Sequence, residues 1–122
     1  MIVKNKILIV DDDQQLRQIL AAQLTDYGYD VREAASGSEA IPLTYGIEFK
    51  LIILDLKMPY IDGFEFLKFV KGTFPNTKVI VLSAYADLIN FYKCKDLGAD
   101  EFIGKPYDTG NLFYTIDTML KA

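Results

Sequence analysis

The feature that most constrains this chain is a repeated pairing of two patterns. Short, unbroken apolar runs rich in β-branched residues alternate with longer stretches whose apolar residues recur at helical spacing. The runs at 6–10 (KILIV), 50–54 (KLIIL) and 78–82 (KVIVL) are the clearest. A run that is apolar at successive positions suits a strand buried on both faces. Weaker strands are expected at 29–34 and 100–103.

Between the strands lie five helical segments. In the first, Leu16, Ile19, Leu20, Leu24 and Tyr27 recur at helical spacing, and Gly28 suits the residue just past the helix end. Ser36-Gly-Ser-Glu39 reads as a capping box opening the second, which Pro42 should shorten or bend before Gly46. Asp62-Gly-Phe-Glu65 reads as a cap of the third, which carries Phe66, Leu67, Phe69 and Val70 and stops at Gly72. Asp87 caps the fourth, which carries Leu88, Phe91, Tyr92 and Leu97 and ends at Gly98. The fifth begins near Asp108 and uses Leu112, Ile116, Met119 and Leu120. Strand and helix in strict alternation mean a parallel sheet with helices on both faces. The expected fold is an α/β three-layer sandwich, flavodoxin-like, with strand order 2-1-3-4-5.

Composition narrows the chemistry. At 122 residues and 51% hydrophobic content the chain suits a single domain with its own core. It has no histidine and one cysteine, Cys94. Histidine-based acid–base catalysis, a Ser-His-Asp triad, a Cys/His zinc site and an internal disulfide are thereby excluded. Cys94 is expected to be a small buried residue. Thirteen basic against seventeen acidic residues give a net charge of −4, which argues against a nucleic-acid surface. No apolar run approaches the roughly 18 residues of a membrane span, and the first residues run directly into a strand, so a soluble, cytoplasmic domain is expected.

In open parallel sheets, sites form beyond the carboxyl ends of the strands, where the strand order reverses. That edge should carry Asp11 and Asp12 after the first strand, Asp55 after the third, Ser83 after the fourth and Lys105 after the fifth. Each has an ordinary structural role when taken alone. Asp13 is expected only to cap a helix, Ser83 to be a loop serine and Lys105 a surface lysine. Their joint placement at the ends of four strands is what points to a site. Two like charges about 4 Å apart cost about 4 kcal/mol at an effective dielectric of 20. Clustered carboxylates therefore want a cation or a shared proton. Oxygen-only ligands suit Mg²⁺, which in turn binds phosphoryl oxygens, and Ser83 and Lys105 can bind the same oxygens. The available nucleophile for phosphoryl transfer is a carboxylate.

With these residues in place the chain resembles a response-regulator receiver domain, the CheY-like family of two-component signalling. The resemblance rests on Ile-Val-Asp11-Asp12-Asp13, Leu-Asp55-Leu-Lys-Met-Pro59, Asp62-Gly63, Leu-Ser83-Ala84 and Lys105-Pro106, and runs from about Lys6 to Leu120. It implies that Asp55 is the phosphoacceptor, and that Asp11, Asp12, Asp55 and the Lys57 carbonyl hold Mg²⁺, with Mn²⁺ as a substitute. It implies that Ser83, the Ala84 backbone and Lys105 bind the phosphoryl group, and that Lys105 pairs with Asp55 beforehand. It implies a cis peptide at Pro106 and a switch made of Ser83 and Phe102. Phenylalanine there lacks a hydroxyl, so packing must carry the coupling. Lys57 and Tyr85 flank the acceptor, as in the single-domain receivers of sporulation-type phosphorelays, and are expected to slow dephosphorylation.

The implied partners are a sensor histidine kinase or a histidine phosphotransfer protein. A downstream protein would bind the face made by the fourth helix, fifth strand and fifth helix, with Ile89, Tyr107 and Tyr114 as contacts or half-buried core residues. Residues 1–122 are expected to form one receiver with no output domain; a receiver fragment of a longer regulator is the alternative. A haloacid-dehalogenase-like phosphatase could use Asp11-x-Asp13, Ser83 and Lys105, but it would leave Asp55 unexplained. A flavodoxin-like FMN protein would want a glycine- and hydroxyl-rich loop where three aspartates stand. A receiver that no longer takes phosphate would not need this set intact.

Overall fold

The computed structural model describes residues 4–56 and 61–121. Its elements alternate throughout: β1 (Lys6–Val10), α1 (Gln14–Asp26), β2 (Asp30–Ala34), α2 (Gly37–Gly46), β3 (Leu51–Leu56), α3 (Ile61–Thr73), β4 (Lys78–Ser83), α4 (Leu88–Asp96), β5 (Glu101–Gly104) and α5 (Thr109–Lys121). The five strands form one sheet in the order β2-β1-β3-β4-β5, all pairs parallel. This is the expected topology. No helix among the described residues is long and apolar enough to cross a membrane.

The unbroken apolar runs are explained by two cores, one on each face of the sheet. Successive strand residues point to opposite faces. Leu8, Val10, Ile52, Leu54, Val79 and Val81 pack with Ala40, Phe66, Leu67, Val70 and Cys94 of α2, α3 and α4. Ile7, Ile9, Leu51, Ile53, Ile80 and Leu82 pack with Leu20, Ala21, Leu24, Leu112 and Ile116 of α1 and α5. Each large aliphatic side chain taken fully out of water contributes about 1.5–3 kcal/mol. Cys94 is buried, and burial pushes its thiol up to about 11, which leaves it an inert packing residue.

Local signals end the helices as the sequence suggests. Asp13 caps α1 by accepting from the Leu16 N–H, and Asp87 caps α4 by accepting from the Asn90 N–H. Gly28 and Gly98, with φ of +109° and +98°, take the left-handed conformation that ends α1 and α4. Ser36 caps α2, but the Glu39 carboxylate reaches back to the Ala35 N–H at 3.5 Å, one residue before the cap.

Several boundaries and faces differ from expectation. Helix α2 runs its ten residues through Pro42 to Gly46. Pro42 and Ser38 are exposed, so the carbonyl deprived of its partner is on a residue open to water. Helix α3 begins at Ile61, so Asp62 stands inside it, and it passes Gly72 to end at Thr73. Leu16 and Ile19 are exposed, because α1 turns only Leu20, Ala21 and Leu24 to the sheet. In α4 only Asn90 and Cys94 are buried, while Leu88 and Tyr92 face solvent.

Candidate functional site

Asp11 leaves β1 at the carboxyl edge of the sheet. Its backbone N–H still pairs with Ala34 of β2 at 3.1 Å, and its Oδ1 accepts from the Asp13 N–H at 2.9 Å. These contacts hold its buried carboxylate at the edge while Asp13 turns away to cap α1. Asp12, between them, is exposed.

Asp55 was expected just after the third strand but lies within it. β4 runs alongside as far as Ser83, so the pairing continues through Asp55–Leu82 and Leu56–Ser83. The carboxylate is therefore held by sheet backbone, which confines it more than a loop would. Asp11, Asp12 and Asp55 line one small cavity with Ser36, Gly37 and Gly63. On its other side Asp55 opens to a groove of about 510 Å³ between α1 and the start of α5, which Lys105, Pro106 and Tyr107 also line.

Lys105 follows β5 and donates from Nζ to Asp55 Oδ2. The Lys105–Pro106 peptide is cis, as the resemblance implied. Burial, then the hydrogen-bonding and charge of Asp11, push the Asp55 carboxyl up from its ordinary 3.8 to about 7, against the lowering effect of Lys105. One ammonium thus does not balance the acidic edge. Among the described residues no three such side chains are arranged as they would be around an ion. The donor set nevertheless fits a hard divalent cation: carboxylate oxygens only, on a cavity whose acids repel one another.

Ser83 ends β4 and is buried. Its hydroxyl accepts from the Tyr85 N–H at 3.0 Å, and its carbonyl accepts from the Lys105 N–H at 2.8 Å. The strand pairing places it one residue beyond Asp55's partner, on the flank of the pocket. Ala84 and Tyr85 are exposed on the β4–α4 loop. Phe102 is half-buried against the core and meets the Phe91 ring edge-on at 5.8 Å. Ile89 and Tyr114 are exposed, whereas Tyr107 packs against the second core. Both roles expected of Lys57 fall outside the described residues.

Two residues at the site escaped the sequence reading. Arg17 donates from Nη1 to the Asp11 carbonyl at 2.7 Å and from Nε to Glu33 at 3.0 Å, fixing the turn that carries the first two acids. Its place one helical turn after Asp13 was the available signal. The other is Asn90, buried on the inner face of α4. An amide three residues after a capping aspartate was the hint there.

A family model described as response regulator receiver domain matches residues 7–117. Sporulation initiation phosphotransferase F of Bacillus subtilis (strain 168) is 37% identical over 106 residues, 87% of this chain and 86% of that protein. The chain also matches the probable transcriptional regulator ycf27 of Porphyridium aerugineum, at 35% identity over 97% of its own length. There it spans about half (49%) of the relative.

Among solved structures, a CheY-like response regulator receiver domain protein from Methanospirillum hungatei JF-1 superposes with a TM-score of 0.91 at 32% identity. The match covers 98% of this chain and 95% of that one. The response regulator protein TrrA from Thermotoga maritima, solved in complex with Mg²⁺-BeF, superposes with a TM-score of 0.82 at 29% identity, covering 94% and 98%. Fold, edge chemistry and relatives agree: this chain belongs to the response regulator receiver domain family.

Proposed function

We propose that Asp55 accepts a phosphoryl group from a phosphohistidine on a sensor kinase or histidine phosphotransfer protein, in a Mg²⁺-dependent step. The observation that carries this reading is the setting of Asp55. It is a buried carboxylate confined by the sheet, with Asp11 and Asp12 on one side and the Lys105 ammonium on the other. In the reaction an Asp55 oxygen bonds to phosphorus as the phosphorus–nitrogen bond breaks, and the bonding pair returns to the imidazole nitrogen. The chain supplies position and charge compensation, which is most of what phosphoryl transfer needs.

Asp11, Asp12, Asp55 and the Lys57 carbonyl would hold Mg²⁺, or Mn²⁺ in its place. Bound there, the ion neutralises charge on the transferring phosphoryl oxygens. Lys105 shifts from the carboxylate to the phosphoryl group, and Ser83 and the Ala84 N–H bond its oxygens. The consequence is a change in partner binding rather than turnover of a substrate. Phe102 follows Ser83, and the exposed Leu88, Ile89, Tyr92 and Tyr114 offer a downstream protein an apolar surface on α4 and α5. We assign the protein to the cytoplasm.

Intact mass after incubation with acetyl phosphate and Mg²⁺ tests the central assignment. One phosphoryl group is expected on the wild type, and none on Asp55→Asn or without the metal. A wild type that stays unmodified, and that takes no beryllofluoride, overturns the assignment. Tyr85→Ala and Lys57→Ala test the shielding role: each should speed loss of the phosphoryl group, and unchanged rates remove that role.

A further inference from the structure

The β4–α4 loop is pinned from both sides at one residue. The Tyr85 N–H donates to the Ser83 hydroxyl at 3.0 Å, and the Tyr85 carbonyl accepts from Asn90 Nδ2 at 3.2 Å. The same amide donates to Asp87 Oδ2 at 3.2 Å, while Asp87 Oδ1 accepts from the Asn90 N–H at 2.8 Å. A continuous run of hydrogen bonds thus joins the Ser83 hydroxyl to the first turn of α4.

This run matters because α4 has few other anchors, among them the Lys93 ammonium over the Phe64 ring of α3 at 4.2 Å. The helix has nine residues and buries only Asn90 and Cys94. Its remaining attachment to the sheet is through half-buried residues such as Phe91, edge-on to Phe102. An element with few buried apolar contacts sits at the low end of local stability, where one hydrogen bond shifts a population. Asn90 is only 3% exposed, so its amide could not turn to water if the loop moved away.

We propose that Asn90 is the positioning residue that latches the β4–α4 loop in the unphosphorylated state and passes the position of Ser83 to α4. The proposal rests on the receiver reading above. When the Ser83 hydroxyl turns to a phosphoryl oxygen it gives up the Tyr85 N–H. Tyr85 is then held only by Asn90, and the loop and the α4 first turn can move together. Asn90 touches neither the acceptor nor the phosphoryl group; it acts by stabilising the resting loop. Removing its amide therefore raises the energy of the resting state relative to the state in which Ser83 is engaged.

The test is calorimetric titration of the whole chain with beryllofluoride in excess Mg²⁺, on the wild type, Asn90→Leu and Asn90→Ala. Leucine keeps the buried volume and removes the donor. Both variants are expected to bind about five-fold tighter, the effect of losing one ordinary hydrogen bond from the resting state. Amide exchange should show residues 84–90 unprotected in the free variants to the extent seen in beryllofluoride-bound wild type, with β1 and β3 unchanged. Equal or weaker binding by both variants overturns the latch alone, as does protection lost throughout the sheet. A wild type that binds no beryllofluoride overturns the receiver reading, and the latch with it.

Discussion

Lys105 Nζ donates to Asp55 Oδ2 across fifty positions of sequence, from the turn after β5 to the interior of β3. Two strands separated by β4 are thereby tied at the edge where all the acids meet. The pair is charge-assisted and largely shielded, yet it leaves the Asp55 carboxyl raised to about 7, because burial and Asp11 outweigh one ammonium.

A pH dependence of stability follows. An acid whose folded pKa lies above its unfolded value stabilises the fold below the unfolded pKa. That contribution is lost as pH rises through the folded one. For Asp55 the window is pH 4 to 7. Without metal, Asp55→Asn should gain stability relative to wild type across this window, by up to about 1.4 kcal/mol per pH unit. The difference should level above pH 7. Urea melts of both proteins at pH 4, 5.5, 7 and 8.5 give the comparison; a flat difference would show that the proton on Asp55 does not matter.

Divalent cation should act in the opposite sense. Mg²⁺ binding to the folded state alone raises Tm by mass action. The rise should be small at pH 5, where Asp55 holds its proton, and larger at pH 8. Asp11→Asn and Asp12→Asn should each reduce it. Thermal melts with and without excess Mg²⁺ check this, with Ca²⁺ and Mn²⁺ as comparison ions.

The loop over β5 makes a steric prediction. A Cβ built on Gly104 would lie 2.8 Å from the Ala86 Cβ, closer than two carbons pack. Neither atom belongs to a flexible side chain, so the backbone must give way. Gly104→Ala should cost about 1–3 kcal/mol. Adding Ala86→Gly should recover most of the loss, which a double-mutant cycle in denaturant measures.

How far the sequence reached differs from element to element. The strand at 6–10 was legible because both its faces are buried, and four successive apolar residues after Lys6 leave no face for solvent. Asp13 and Asp87 were legible as caps because capping is settled within four residues. The five candidate site residues were legible as a group because strand order brings the ends of β1, β3, β4 and β5 to one edge.

What sequence could not reveal was which way each helix turns and how far each strand continues. Leu16 and Ile19 share the apolar pattern of Leu20 and Leu24, but which side of α1 packs on the sheet decides which of them is covered. Asp55 belongs to β3 because β4 continues beside it, a fact about the neighbouring strand and not about Asp55's own surroundings in sequence. Arg17 and Asn90 look like ordinary polar helix residues until the fold brings the Asp11 carbonyl and the Tyr85 carbonyl to them. The sequence by itself determined the alternation of elements, their caps and the set of acids, all of which depend on local periodicity and order along the chain. Only the tertiary structure decided burial, pairing and the raised Asp55 carboxyl, because these depend on distances between residues that the chain keeps far apart.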